Sequence, residues 1–438
     1  MIPIVAIVGR PNVGKSTLFN RLCGKSLAIV HDEAGVTRDR HYAPAHLAGR
    51  SVTLIDTGGF DPTSDDPMQA GIARQVEVAI EEADVVVCVL DATTPPTGPD
   101  GDAVRLLRQS GKAVIYVANK VETKEHEFAL GPLYELGVPS LIAVSALHGR
   151  GTAELANAIR EHLPTDESEP EAEPSEVPRI ALVGRPNAGK SSLFNRLVGE
   201  ERSLVDSRPG TTRDPVDELV EFEGERFTIV DTAGIRRRSR VERGIELVSV
   251  LRSIRAVERA EICVLMCDAT EGVTEQDARL LALCLERRRG VVVGLNKMDA
   301  LDAKGRKRAI EQAEETLHFA RFARIVPISA KRNENLGTLM RVAAKAAREM
   351  RKRISTAELN RFFENVLDKR PPPTHGGRAP RIYYITQAET SPPVFIAMSN
   401  HPEHLNESYQ RFVVNQIREV FGFESVPVTV QYRQKRAH

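Results

Sequence analysis

Short apolar runs alternate with helical periods along residues 1–163, and the same alternation returns over residues 179–353. Residues 4–8, 51–55, 85–90, 113–118 and 140–144 are short, rich in apolar and β-branched types and bounded by turn formers, which predicts strands. Their counterparts are residues 180–183, 226–230, 262–266, 291–295 and 324–328. Residues 16–22 and 191–197 open helices soon after the first strand of each stretch. Strand and helix in alternation predict an α/β fold: a mostly parallel sheet flanked by helices, with ligands at the carboxyl ends of the strands.

Beyond residue 353 the pattern changes. A basic run over 348–353, predicted helical, leads into a helix at 355–370 with Leu359, Phe362, Phe363, Val366 and Leu367 inward. Residues 381–389 and 393–398 predict strands. Residues 405–421 predict an amphipathic helix, with Leu405, Tyr409, Phe412, Val413, Ile417 and Val420 inward, and residues 428–432 a last strand. The result is a small α-β-β-α-β unit, 354–438, large enough for one core. Between the two α/β stretches, residues 164–178 hold six acids, four prolines and no basic residue, which predicts an extended, self-repelling linker.

Charge adds an asymmetry to this plan. The chain of 438 residues has 60 basic and 60 acidic side chains, yet residues 1–178 carry 15 Lys and Arg against 26 Asp and Glu. An acidic front and a basic back point either to a polyanionic partner for the back half or to a merely solvated surface. No apolar run approaches the ~20 residues of a membrane span. The opening Met1-Ile-Pro-Ile runs into a strand instead of a charged leader, so a cytoplasmic protein without membrane contact is expected. The five cysteines, Cys23, Cys88, Cys263, Cys267 and Cys284, show no metal-type pairing and are expected buried and reduced.

The chemistry lies in the turns. Gly9-Arg10-Pro11-Asn12-Val13-Gly14-Lys15-Ser16, followed by Thr17, returns as Gly184-Arg185-Pro186-Asn187-Ala188-Gly189-Lys190-Ser191, followed by Ser192. Both fit the P-loop pattern, in which backbone N–H groups cradle phosphate oxygens, the lysine adds positive charge and the serine hydroxyl reaches Mg²⁺. Downstream stand Asp56-Thr57-Gly58-Gly59 and Asp231-Thr232-Ala233-Gly234, whose aspartate suits Mg²⁺ and whose glycine N–H suits a γ-phosphate. Thr37 and Thr212, each ahead of Arg-Asp, are placed to reach the metal while a γ-phosphate is present. Loop, threonine and aspartate each recur 175 residues apart, so a whole domain is duplicated.

Base choice follows from Asn296-Lys297-Met298-Asp299: a carboxylate there accepts two hydrogen bonds from guanine that adenine does not offer. Lys297 is expected along the base, and Ser329-Ala330 to present backbone N–H to guanine O6. The first copy reads Asn119-Lys120-Val121-Glu122, with Ser145-Ala146 as its base loop. Either the longer Glu122 is accommodated by a small shift, or this copy binds weakly and serves mainly as a scaffold.

With tandem guanine loops, an acidic linker and a short α/β tail in this order, the whole chain resembles the bacterial double-GTPase family called Der or EngA. The resemblance implies two tandem P-loop GTPase domains and a KH-like C-terminal domain. It further implies a monomeric enzyme that hydrolyses GTP to GDP, binds the large (50S) ribosomal subunit and its rRNA, and assists its maturation. A hydrophobic residue replaces the usual glutamine after Asp-x-x-Gly, here Phe60 and Ile235. Slow intrinsic turnover follows, with the activating element supplied from elsewhere, including an accessory protein. Related GTPases hold K⁺ on the loop asparagine, matching Asn12 and Asn187, although Ala34 stands where Pro209 precedes the second switch glycine.

Three basic or glycine-bearing segments lie outside those motifs. Residues 235–240 hold four arginines that either couple nucleotide state to RNA phosphates or form a solvated turn, and the same choice applies to Arg433, Lys435 and Arg436. The tail lacks the Gly-x-x-Gly clamp of KH modules, since Gly376-Gly377 precedes its first strand, so docking on the first GTPase domain or on rRNA is expected of it. Competing readings are a tRNA-modifying GTPase, opposed by the doubled domain and the missing C-terminal cysteine, and a nucleotide-gated scaffold with incidental hydrolysis.

Overall fold

The computed structural model describes residues 2–24, 42–57, 76–77, 79–123, 126, 130–164, 177–199, 217–232, 246–373 and 380–434. In the first domain, β1 (Ile4–Val8) leads through the P-loop to α1 (Lys15–Cys23), followed by β2 (Tyr42–Leu47), β3 (Arg50–Asp56) and β4 (Val85–Asp91). Then come α2 (Gly98–Gln109), β5 (Ala113–Asn119), α3 (Gly131–Tyr134), β6 (Ile142–Ala143) and α4 (Thr152–His162). The sheet order is β2-β3-β1-β4-β5-β6, parallel except for the β2/β3 pair. All five residues of β1 and all seven of β4 are buried, as their unbroken apolar runs require of strands covered on both faces. From β1 the chain adds β3 on one side and then β4 on the other, and this switch opens a crevice at the carboxyl end of β1, where the P-loop sits.

The second domain repeats this plan. It comprises β7 (Arg179–Val183), α5 (Lys190–Gly199), β8 (Glu218–Phe222), β9 (Glu225–Val230), α6 (Glu246–Arg259), β10 (Ile262–Asp268) and α7 (Glu275–Glu286). After them come β11 (Gly290–Asn296), α8 (Ala303–Thr316), β12 (Arg324–Pro327) and α9 (Leu336–Met350). The order β12-β11-β10-β7-β9-β8 mirrors the first sheet, again with one antiparallel pair, β8/β9.

Strands β2 and β8 are the elements that the apolar pattern missed. Each alternates buried and outward residues instead of forming a run: Ala43, Ala45 and Leu47 are buried in β2, Val220 and Phe222 in β8. The signal was in the turns: Ala48-Gly49 (φ 46° and 85°) and Glu223-Gly224 (φ 49° and 79°) are two-residue loops with both φ positive. Such loops join antiparallel strands because their twist matches the strands' own.

The tail forms α10 (Thr356–Lys369), β13 (Ile382–Thr390), β14 (Pro393–Ser399), α11 (Glu407–Phe421) and β15 (Thr429–Gln434). Its sheet is β13-β14-β15, antiparallel and then parallel. Leu359, Phe362, Phe363 and Val366 of α10 and Tyr409, Val413 and Ile417 of α11 are buried as the helical period predicts. Two expectations fail: Val420 is 58% exposed, and the basic helical run ends at Met350, leaving Arg351–Arg353 beyond α9.

The tail packs on the second domain, with which it shares one hydrophobic core running from Ile180 through α9 to Val426. Ser425, fully buried, acts as the joint: its N–H donates to the Phe322 carbonyl (2.8 Å), its carbonyl accepts from Val291 N–H (2.7 Å), and its Oγ accepts from Arg324 N–H (3.0 Å). The Arg418 guanidinium lies 3.9 Å from the Phe322 ring centroid and donates to the Phe423 and Val426 carbonyls. This packing on the second domain is a contact that the sequence reading did not name. All five cysteines are buried and none forms a disulfide. No described helix is long and apolar enough to cross a membrane.

Candidate functional site

Both P-loops take one backbone path. Gly9 and Gly184 have φ of 150° and 142°, Gly14 and Gly189 of 94° and 100°, and Asn12 and Asn187 both 64°. A Cβ at Gly14 or Gly189 would strike the amide of Asn119 or Asn296, and one at Gly9 or Gly184 the carbonyl of Val89 or Met266. Glycine is therefore required by both conformation and space. Lys15 Nζ donates to the Arg10 carbonyl (2.7 Å), and Lys190 Nζ to the Gly184 (2.6 Å) and Arg185 (2.5 Å) carbonyls. Burial pushes the Lys15 ammonium down to about 8, against the opposing pull of the Asp56 carboxylate.

The asparagine at the end of the fifth strand ties loop to base region. Asn119 Nδ2 donates to the Val13 carbonyl (2.8 Å) while its Oδ1 accepts from Ala146 N–H (3.0 Å). Asn296 does the same to Ala188 (2.9 Å) and Ala330 (2.9 Å). Lys120 and Lys297 pair with Asp91 and Asp268, the last residues of β4 and β10. Burial alone would raise both carboxyls, but the lysine and threonine hydrogen bonds outweigh it and hold them below the usual range.

The copies part at the carboxylates of Asp299 and Glu122. Asp299 accepts from Ser329 Oγ (2.7 Å), which holds its carboxyl below the usual range. It lines a cavity of about 700 Å³ with Asn187, Gly189, Ser192, Asn296, Lys297 and Ala330. Glu122 instead lies 3.6 Å from His148 and makes no bond to Ser145, although both serines accept from the N–H three residues on, His148 (3.3 Å) and Arg332 (3.1 Å).

Ser16 Oγ lies 2.5 Å from Asp56 Oδ2, so two hard oxygen donors stand side by side at the mouth of the first loop. That donor set fits Mg²⁺, which takes few protein oxygens and keeps water and phosphate. Ser191 is the second residue of α5, after Lys190, and Asp231 follows β9, with φ 56° and its N–H donating to Asp217 (3.3 Å). Thr57 Oγ1 donates to the Ile7 carbonyl (3.0 Å), and Thr232 is buried. Thr37, Gly58, Gly59, Phe60, Thr212, Ala233, Gly234, the arginines of 235–240, Gly376, Gly377, Lys435 and Arg436 lie outside the described residues.

Three supporting pairs escaped the sequence reading. Arg10 and Arg185 are held by Asp100 (3.2 Å) and Asp277 (2.9 Å), each of which also closes the capping box of its helix, α2 or α7. Arg21 and Arg196 donate to the base-loop carbonyls of Ala146 (3.0 Å) and Lys331 (3.0 Å). Asp91 and Asp268 complete the set. Every one of these residues recurs in the second copy, so aligning the two halves beyond the motifs would have found them.

A family model described as 50S ribosome-binding GTPase matches residues 4–120 and 179–297, and one described as the C-terminal KH-domain-like region of EngA bacterial GTPase enzymes matches 353–433. The chain is 45% identical to GTPase Der of Symbiobacterium thermophilum, over 99% of this chain and 93% of that protein. It is 43% identical to GTPase Der of Thermomicrobium roseum, over 99% and 96% of the two chains.

Proposed function

We propose, for a chain that belongs to the GTPase Der family and is a GTPase of two tandem GTPase domains and a KH-like tail, that it binds the large ribosomal subunit and assists its maturation. The observation that carries this reading is the formed base pocket of Asn296, Asp299 and Ala330, in a chain whose two P-loop domains both match the 50S ribosome-binding description.

In this reading Lys15 and Lys190 hold the outer phosphates, exchanging loop carbonyls for phosphate oxygens. Loop N–H groups cradle the same oxygens. Asp299 selects guanine, and Ala330 N–H meets its O6. Ser16, Asp56 and Thr37, with Ser191, Asp231 and Thr212, hold Mg²⁺, which supplies neutralisation of charge between the transferring oxygens. Asn12 and Asn187, turned out of their loops, are assigned to K⁺. Phe60 and Ile235 orient no water, so turnover is slow until the K⁺ site is filled or an accessory protein acts. Domain limits at 163/164, 178/179 and 353/354, a monomeric state and a cytoplasmic location belong to the same proposal.

Co-sedimentation with large ribosomal subunits in K⁺ buffer tests it. Binding with a non-hydrolysable GTP analogue and not with GDP is expected. Equal absence of binding in both states overturns it, and retention on tRNA in its place would favour the tRNA-modifying alternative.

A further inference from the structure

The turn between β14 and α11 carries a group that neither nucleotide site uses. His401, Glu403 and His404 bring one ligand atom each to within 4.8 Å of one another. His401 Nδ1 lies 3.2 Å and His404 Nε2 3.7 Å from the same Glu403 oxygen, Oε1. Zinc bonds of about 2.0–2.2 Å at the tetrahedral angle place neighbouring ligand atoms about 3.4 Å apart. Two of the three separations already bracket that spacing.

The turn is also pinned from both sides. His401 N–H donates to Ser399 Oγ (3.3 Å), and His404 N–H to the His401 carbonyl (3.2 Å) in a single 3₁₀ turn, Pro402–His404. Asn400 and Arg381 bond reciprocally (3.2 and 2.7 Å), Leu405 is buried, and Asn406 caps α11 through Tyr409 N–H (2.9 Å). Backbone ordering is therefore complete before any ion arrives, so the entropy that binding must remove is confined to three side chains.

We propose that His401, Glu403 and His404 form a binding site for one divalent transition-metal ion of the zinc class, with a fourth position open to water or a partner's ligand. Two imidazoles and a carboxylate select such an ion over Mg²⁺, which demands oxygen. The fourth position distinguishes the site from closed structural zinc centres, which use four protein ligands.

Untagged, full-length protein stripped with chelator is titrated with Zn²⁺, and separately with Co²⁺, while excess Mg²⁺ and GDP occupy the P-loops. About one equivalent is expected to bind, with the intense visible absorption of tetrahedral Co²⁺. His401→Ala and His404→Ala each lower that affinity at least ~10-fold, while His318→Ala, in the second GTPase domain, leaves it unchanged. Glu403→Gln, an exposed near-isostere, gives the same loss if either histidine variant fails to fold. The proposal is overturned if the native chain takes up no ion, or if the variants bind it as tightly as the native chain.

Discussion

Two copies of one domain share their P-loop geometry and differ around the carboxylate of the Asn-Lys-x-Asp/Glu segment. Loop glycines, αL asparagine, buried lysine and bridging Asn119 or Asn296 superimpose in role down to their acceptors. Downstream, Asp299 accepts from Ser329 and lies 3.9 Å from Arg332, whereas Glu122 lies 3.6 Å from His148, at the position of Arg332, with no bond to Ser145. A preset carboxylate spends little ordering energy when guanine arrives; a displaced one must first break its existing contact. In the proposed reading, phosphate holding relies on loop backbone that is the same in both copies, while base choice rests on one side chain whose surroundings differ between them.

The contrast is broken most severely at the lysines. Lys190→Ala and Lys15→Ala should each remove nucleotide binding from their own copy by about 100-fold or more, since charge-assisted bonds are worth roughly 1.5–3 kcal/mol each. Equilibrium binding of a fluorescent GTP analogue to each variant measures the surviving copy alone, and equal residual affinities would dissolve the difference between the copies.

Exchanging the base carboxylates comes next. Asp299→Asn should cost the second copy about 2–3 kcal/mol of guanine affinity, and Glu122→Asp should strengthen the first about tenfold, read by calorimetry on the single-copy backgrounds. No gain from Glu122→Asp would place the weakness elsewhere in the first copy.

A pH series sharpens the phosphate side. With the Lys15 ammonium lowered to about 8, GTP binding to the first copy should take up a proton above that pH and weaken by up to about tenfold per unit. The unfolded chain keeps this proton up to 10.5, so the Lys15 term makes nucleotide-free stability rise between about 8 and 10.5. Calorimetry of the Lys190→Ala variant in buffers of different ionisation enthalpy reads the proton directly; uptake of none above pH 8 contradicts the argument.

The smallest effect is expected at the serines. Ser329→Ala should weaken GTP at the second copy by about 1 kcal/mol, roughly fivefold, and Ser145→Ala should leave the first unchanged. Asp299 should also protonate at higher pH without Ser329, so guanine binding is lost earlier as pH falls. Equal losses from both serines would mean that Glu122 reaches Ser145 when nucleotide binds.

Sequence by itself determined the duplication, the strands that are buried on both faces and the P-loops, because each is written in consecutive residues. Unbroken runs such as residues 85–90 announce a central strand, and a P-loop needs its glycines at fixed spacing. Only the tertiary structure decided the rest. Edge strands β2 and β8 take their identity from a partner across a two-residue turn, and Val420 faces outward although its period places it inward. Arg185 finds Asp277, and Ser425 finds Phe322 and Val291, across long stretches of chain that no local pattern encodes. Glu122 and Asp299 occupy matching positions and still differ in their contacts, because a carboxylate's partners are set by the neighbours that the fold brings to it.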